Sequence, residues 1–149
     1  MVLRLENQPP TRSIAEFCVP ALGYCLNYDQ RFFAEPERDN DAYGARLSGR
    51  EHPFTGELSG RVDGLQLRLE QRYLLRMREM EAIDPELTEL NSMMANGFYY
   101  LSLRAAGKLY YFQAWTRDDR LVQLRLEAPG DLPAAVWEEA IRGFRVTFR

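Results

Sequence analysis

Lysine is almost missing from this 149-residue chain, where Lys108 stands beside 18 arginines. Histidine is reduced to His52, and cysteine to Cys18 and Cys25. One histidine and two cysteines do not supply the four N/S ligands of a usual zinc site. Two cysteines cannot build a disulfide scaffold either, so the sequence predicts two buried free thiols in a reducing cytoplasm. Basic charge is not in excess: the formal net charge is −3. Direct nucleic-acid binding is therefore not expected, because phosphate neutralisation calls for a basic domain or stripe. No uncharged apolar run approaches the roughly 18–20 residues that a membrane span requires. Met1–Pro10 carries Arg4 and Glu6 without an apolar core, so no secretory leader is expected.

What is present suits one folded domain: 46% hydrophobic and 28% charged residues. Residues 1–12 read as an N-terminal arm and 13–149 as a single domain. The charge imbalance lies in the first 64 residues and peaks at Glu35-Pro36-Glu37-Arg38-Asp39-Asn40-Asp41. Residues 17–33 read as one or two strands broken by Pro20. Residues 34–41 read as a loop, since Pro36 and the packed charges disfavour pairing. Ala42–Ser48 and Glu57–Val62 are shorter strand candidates.

Leu65, Leu69, Tyr73, Met77 and Met80 recur at steps of three and four, predicting a helix over 65–83 that Pro85 ends. Asp63 and Gly64 lie where its cap belongs. Residues 85–94 read as a short second helix stopped by Asn96-Gly97. Phe98–Ala105, Lys108–Thr116 and Leu121–Ala128 read as three strands whose short connections force antiparallel pairing. Along the third, Val122, Leu124, Leu126 and Ala128 alternate with Gln123, Arg125 and Glu127. Asp131-Leu132-Pro133 opens a helix with Val136, Trp137, Ala140 and Ile141 on one face, Gly143 closes it, and 144–148 reads as a last strand. The fold class is α+β: a mainly antiparallel sheet flanked by a long central helix and a C-terminal helix.

Few residues offer chemistry. His52 would have to serve any Ser–His or Cys–His pair, with Cys18 or Cys25 as the more reactive partner. Gly56-Glu57-Leu58-Ser59-Gly60 misses the nucleophile elbow by one register position. Asp39, Asp41 and Gly44 match part of a calcium loop, but Tyr43 and Arg50 stand where ligands are required. Arg68, Arg72 and Arg76 form a basic ridge on the long helix, suited to neighbouring carboxylates or to an acidic partner. No cofactor-binding motif is present, and no catalytic residue or metal ligand is assigned. The expected activity is non-enzymatic; a small hydrolase or ligand-binding enzyme using His52 or a carboxylate pair is the alternative.

Seven of the 18 aromatic residues fall between Phe98 and Trp115. Neighbours on a strand face opposite sides, so Tyr99, Leu101 and Leu103 can line a core while Phe98 and Tyr100 face the other way. Such a two-sided hairpin is covered by helices on both faces or keeps one face for a partner. The expected partner surface comprises Phe98 and Tyr100, with Glu35, Glu37, Asp39 and Asp41 steering a basic protein partner.

The order of elements has a familiar form. Residues 21–28 lead to Pro53-Phe54-Thr55-Gly56-Glu57-Leu58 and the long helix. Ala106-Gly107-Lys108-Leu109-Tyr110-Tyr111 then passes into the 121–126 strand, and a final helix ends at Gly143-Phe144-Arg145. This resembles the PsbP/DcrB-like superfamily over most of residues 13–149. The resemblance implies a cytoplasmic bacterial protein tied to type VI secretion: an immunity protein that neutralises a secreted toxin, or an Eag-type effector chaperone. A homodimer is left open.

Overall fold

In the computed structural model, which describes residues 13–39, 43–62 and 68–149, the strands and helices are arranged as α+β. The strands are β1 (Ile14–Val19), β2 (Tyr24–Asp29), β3 (Glu37–Arg38), β4 (Ala45–Ser48), β5 (Thr55–Val62), β6 (Thr88–Ala95), β7 (Phe98–Ala105), β8 (Lys108–Arg117), β9 (Arg120–Pro129) and β10 (Arg145–Phe148). Two helices, α1 (Leu69–Ile83) and α2 (Ala134–Arg142), complete the described fold. An antiparallel sheet runs β3-β4-β5-β9-β8-β7-β6, and a smaller one runs β1-β2-β10.

Alternation along β7, β8 and β9 makes the large sheet two-faced. Tyr99, Leu101, Leu103, Tyr110, Phe112 and Leu121 pack under α1, together with Leu69 and Met80 of that helix. Leu109, Tyr111, Val122, Leu124 and Leu126 point the other way, towards Trp137, Phe144 and the small sheet. Arg76 of α1 lies over the Phe112 ring at 4.5 Å and pairs with Glu79 at 2.9 Å. One arginine of the basic ridge thus does reach a nearby carboxylate.

Beyond the reach of α1 the same face carries charge. Glu37, Arg46, Glu57 and Arg125 occupy directly opposed positions on β3, β4, β5 and β9. Opposite charges across strands support pairing, and the ladder keeps this half of the sheet wet. It also corrects the reading of residues 34–41 as loop throughout, because Glu37 and Arg38 pair with Arg46 and Ala45.

Two further expectations are revised, and the start of a third lies outside the described residues. Residues 85–94 do not form a helix: Thr88–Ala95 is strand β6, paired with β7, and Asn96-Gly97 is its hairpin turn. Asn-Gly signals a tight hairpin as strongly as a helix stop, and the pairing with β7 decides the outcome. Cys18 and Cys25 are not free thiols but a disulfide. The turn over residues 20–23, with Gly23 at φ +68°, folds β1 onto β2 and sets the two cysteines directly opposite each other. Their Cα atoms are 4.0 Å apart. The helix predicted from residue 65 is described from Leu69, and Asp63, Gly64 and Leu65 lie outside the described residues.

The β7–β8 turn shows how local sequence holds the sheet. Ala106 (φ +50°) and Gly107 (φ +76°) are both left-handed, as a two-residue hairpin of matching twist requires. Asp84, just after α1, accepts hydrogen bonds from the Ala106 and Glu86 amides, each at 2.9 Å. These bonds hold the Asp84 carboxyl below the usual carboxylate range.

Candidate functional site

The second face of the large sheet is only partly covered. The small sheet and α2 cap β9 and much of β8, leaving a groove of about 540 Å³ between α2 and strands β6–β8. Its floor follows from period two: Phe98, Tyr100, Ser102 and Arg104 along β7, and Leu109, Tyr111, Gln113 and Trp115 along β8. Leu90 and Met93 of β6 form one wall, and Trp137 and Ile141 of α2 form the other. The volume and the mainly apolar lining are those of a ligand-sized site.

Rings set the shape of the floor. Phe98 and Trp115 face each other across the β7–β8 pair and stack at 4.5 Å between centroids. Tyr100 and Tyr111 sit 6.2 Å apart, and Tyr111 stacks on Phe144 at the same separation. Burial, reinforced by Tyr100, pushes the Tyr111 phenol up, so this hydroxyl stays neutral in the physiological range. Trp137 Nε1 donates to Ser102 Oγ at 2.9 Å, which satisfies the buried indole.

Two other polar atoms are not satisfied. Gln113 is 5% exposed, and its Oε1 has no hydrogen-bond partner; nor has the buried Trp115 Nε1. An unmet buried polar group costs about 1–3 kcal/mol. Both lie on the groove side of β8. Sequence reasoning missed them, although Gln113 had a signal: it is the one amide in the apolar run Leu109-Tyr110-Tyr111-Phe112-Gln113-Ala114-Trp115.

The residues expected to bind a partner do not form one surface. Phe98 and Tyr100 are half-buried and line the groove. Glu35 and Glu37 are exposed and Asp39 is half-buried, at the opposite edge of the sheet, while Asp41 lies outside the described residues. Five strand steps separate β3 from β7, about 24 Å along the sheet. Glu37 is moreover paired with Arg46 at 3.2 Å.

His52 is half-buried and sets its ring edge-on to Phe54 at 5.9 Å. Glu16, Cys18 and Cys25 are the group of metal-ligating type among the described residues. Both sulfurs are bonded to each other, so neither is a thiolate ligand or a nucleophile in this state. Glu16 Oε1 lies 3.4 Å from Cys18 Sγ, a contact without a hydrogen bond because a disulfide sulfur carries no proton. The Glu16 carboxylate instead takes Arg149 at 2.7 Å. No helix among the described residues is long and apolar enough to cross a membrane.

No family model matches this sequence, and no curated protein matches it. A solved structure does. The chain is similar to the solution structure of cyanobacterial PsbP (CyanoP) from Synechocystis sp. PCC 6803, with a TM-score of 0.58 and 11% sequence identity. The match covers 93% of this chain and 95% of that one. The chain therefore has a PsbP-like fold.

Proposed function

We propose that the chain is a non-enzymatic binding module that holds an apolar segment of a protein partner in the groove beside α2. The observation that carries this reading is the pair of unpartnered buried atoms, Gln113 Oε1 and Trp115 Nε1, in an otherwise aromatic floor. A ligand supplying their partners recovers what the free protein forgoes. Phe98, Tyr100 and Trp115, each half-buried, offer the broad rigid faces on which binding energy concentrates.

Of the two roles implied by the resemblance, immunity protein and effector chaperone, the disulfide supports the first. A chaperone meets its effector before export, in a reducing compartment where disulfides are rare. An immunity protein can meet its toxin in an oxidising one, and the Cys18–Cys25 bond supports that compartment over the cytoplasm. The hydrolase alternative loses its thiol nucleophile to the same bond.

The test is affinity capture from the native host with the native chain and with Tyr100→Asp, which sets a charge in the groove. A partner held by the native chain and lost by the variant supports the reading. Equal capture by both, with the variant folded, would move the docking surface elsewhere.

A further inference from the structure

Resting on that reading, we infer that the segment received by the groove is an extended, acidic and apolar peptide. It is recognised through its backbone at Gln113 and Trp115 and through its carboxylates at an arginine rim. The inference deepens the proposed function by naming the chemistry of the partner segment, and three observations carry it.

The first is the pairing of one acceptor with one donor. Gln113 Oε1 accepts and Trp115 Nε1 donates, from alternate positions of β8 that share one face. An extended peptide presents N–H and C=O groups on a repeating spacing and can serve both. A purely hydrocarbon ligand would leave both unmet. Gln113 is 5% exposed, so bulk water at the rim does not serve its oxygen.

The second is the sign of the charge. The ionisable side chains that line the groove, apart from its tyrosines, are Arg104, Arg142, Arg145 and Glu138. Three arginines against one glutamate make this a basic concavity in a chain whose net charge is −3. Arginine matches a carboxylate with a planar, bidentate fork.

The third is the order of side chains along β7. Phe98, Tyr100, Ser102 and Arg104 lie on one face in sequence, from ring stack to cation. A segment lying along β7 therefore meets aromatic rings first and a guanidinium last. An apolar stretch followed by acidic residues suits that order, because alternate side chains of an extended chain share a face and a strictly alternating sequence would turn only one kind towards β7.

The probe is a fluorescent hexapeptide of three leucines followed by three glutamates with a free C-terminus, measured by anisotropy on the intact protein. Its controls are the leucine–lysine counterpart, an N-methylated leucine–glutamate peptide that lacks backbone N–H donors, and laurate as a competitor. The leucine–glutamate peptide is expected to bind, and the leucine–lysine peptide to bind at least about tenfold more weakly, the equivalent of one charge-assisted contact. N-methylation and Gln113→Leu should each weaken binding by about tenfold. Exposed Arg104→Glu with Arg145→Glu, which leave the core untouched, should reverse the preference towards lysine. No binding by the leucine–glutamate peptide, equal binding of both peptides, or tight displacement by laurate with no effect of N-methylation would overturn the inference. A native partner captured through the groove while every peptide fails would leave the proposed function standing and this chemistry wrong. A bound peptide with capture unaffected by Tyr100→Asp would do the reverse.

Discussion

Trp137 Nε1 donates to Ser102 Oγ across 2.9 Å, and this bond joins the C-terminal helix to the floor of the groove. Both residues are buried, so neither can exchange its partner for bulk water. Ser102→Ala is expected to lower stability by about 1–3 kcal/mol, because the indole N–H is left unmet. In a Trp137→Phe background the same substitution should cost much less, since the donor is already gone. Trp137→Ala should cost about 3–5 kcal/mol, a large share of the total for a domain of this size. Denaturant unfolding of the four variants measures all of this, and strictly additive losses would show that the bond contributes nothing.

The Cys18–Cys25 disulfide closes a short loop across the β1–β2 hairpin. Loop-closure entropy for so short a segment predicts that Cys18→Ser with Cys25→Ser lowers stability by about 2–3 kcal/mol. A reductant should bring the native protein to a similar midpoint. Alkylation of the unfolded, unreduced protein isolated from its host should label neither cysteine; two labelled thiols would return both to the free state expected from the sequence.

Asp84 sets a pH limit at the end of α1. Its folded-state carboxyl lies below the unfolded value of 3.8, held there first by the Ala106 amide and then by that of Glu86. A depressed carboxylate contributes stability that is present above the unfolded value and lost as pH falls through the folded one. Asp84→Asn should therefore lower the thermal midpoint at neutral pH, and the gap to the native protein should narrow below pH 3.8. A gap that stays constant down to acid would mean the amides gain nothing from the charge.

Charge reversal at the acidic edge should leave the groove indifferent. Glu35, Glu37 and Asp39 lie about 24 Å along the sheet from β7. The Debye length at physiological salt is about 8 Å. Glu35→Arg, Glu37→Arg and Asp39→Arg together should change the association rate of a groove ligand by less than about twofold at that salt. A fall of tenfold or more would show that the two surfaces act on one partner.

The reach of the sequence can be followed residue by residue. β9 was legible because Val122, Leu124 and Leu126 alternate with polar neighbours, and one face of that strand is truly wet at Arg125. Tyr99 against Phe98 and Tyr100 was legible for the same reason. β6 was not, because Thr88–Ala95 is exposed along most of its length and shows no alternation; its strand is imposed by β7. The disulfide was hidden because its register comes from the hairpin, and a spacing of seven residues does not specify that turn. For the groove, the outward rings could be read from period two. The cover provided by α2, and so the burial of Gln113, depended on a contact between distant parts of the chain.

The pairing of β5 with β9 has a consequence for synthesis. β6 to β9 are joined by short hairpins, so their contacts close as the chain emerges. β5 is different: Thr55 opposes Glu127 and Val62 opposes Arg120, with α1 and three strands in between. Closing so long a loop is entropically costly and comes late. On the ribosome, Ala45–Val62 must therefore wait with one hydrogen-bonding edge open until β9 has left the exit tunnel. The charges of Arg46, Glu57 and Arg61 along that waiting hairpin are placed to keep it from pairing with the wrong chain in the interval.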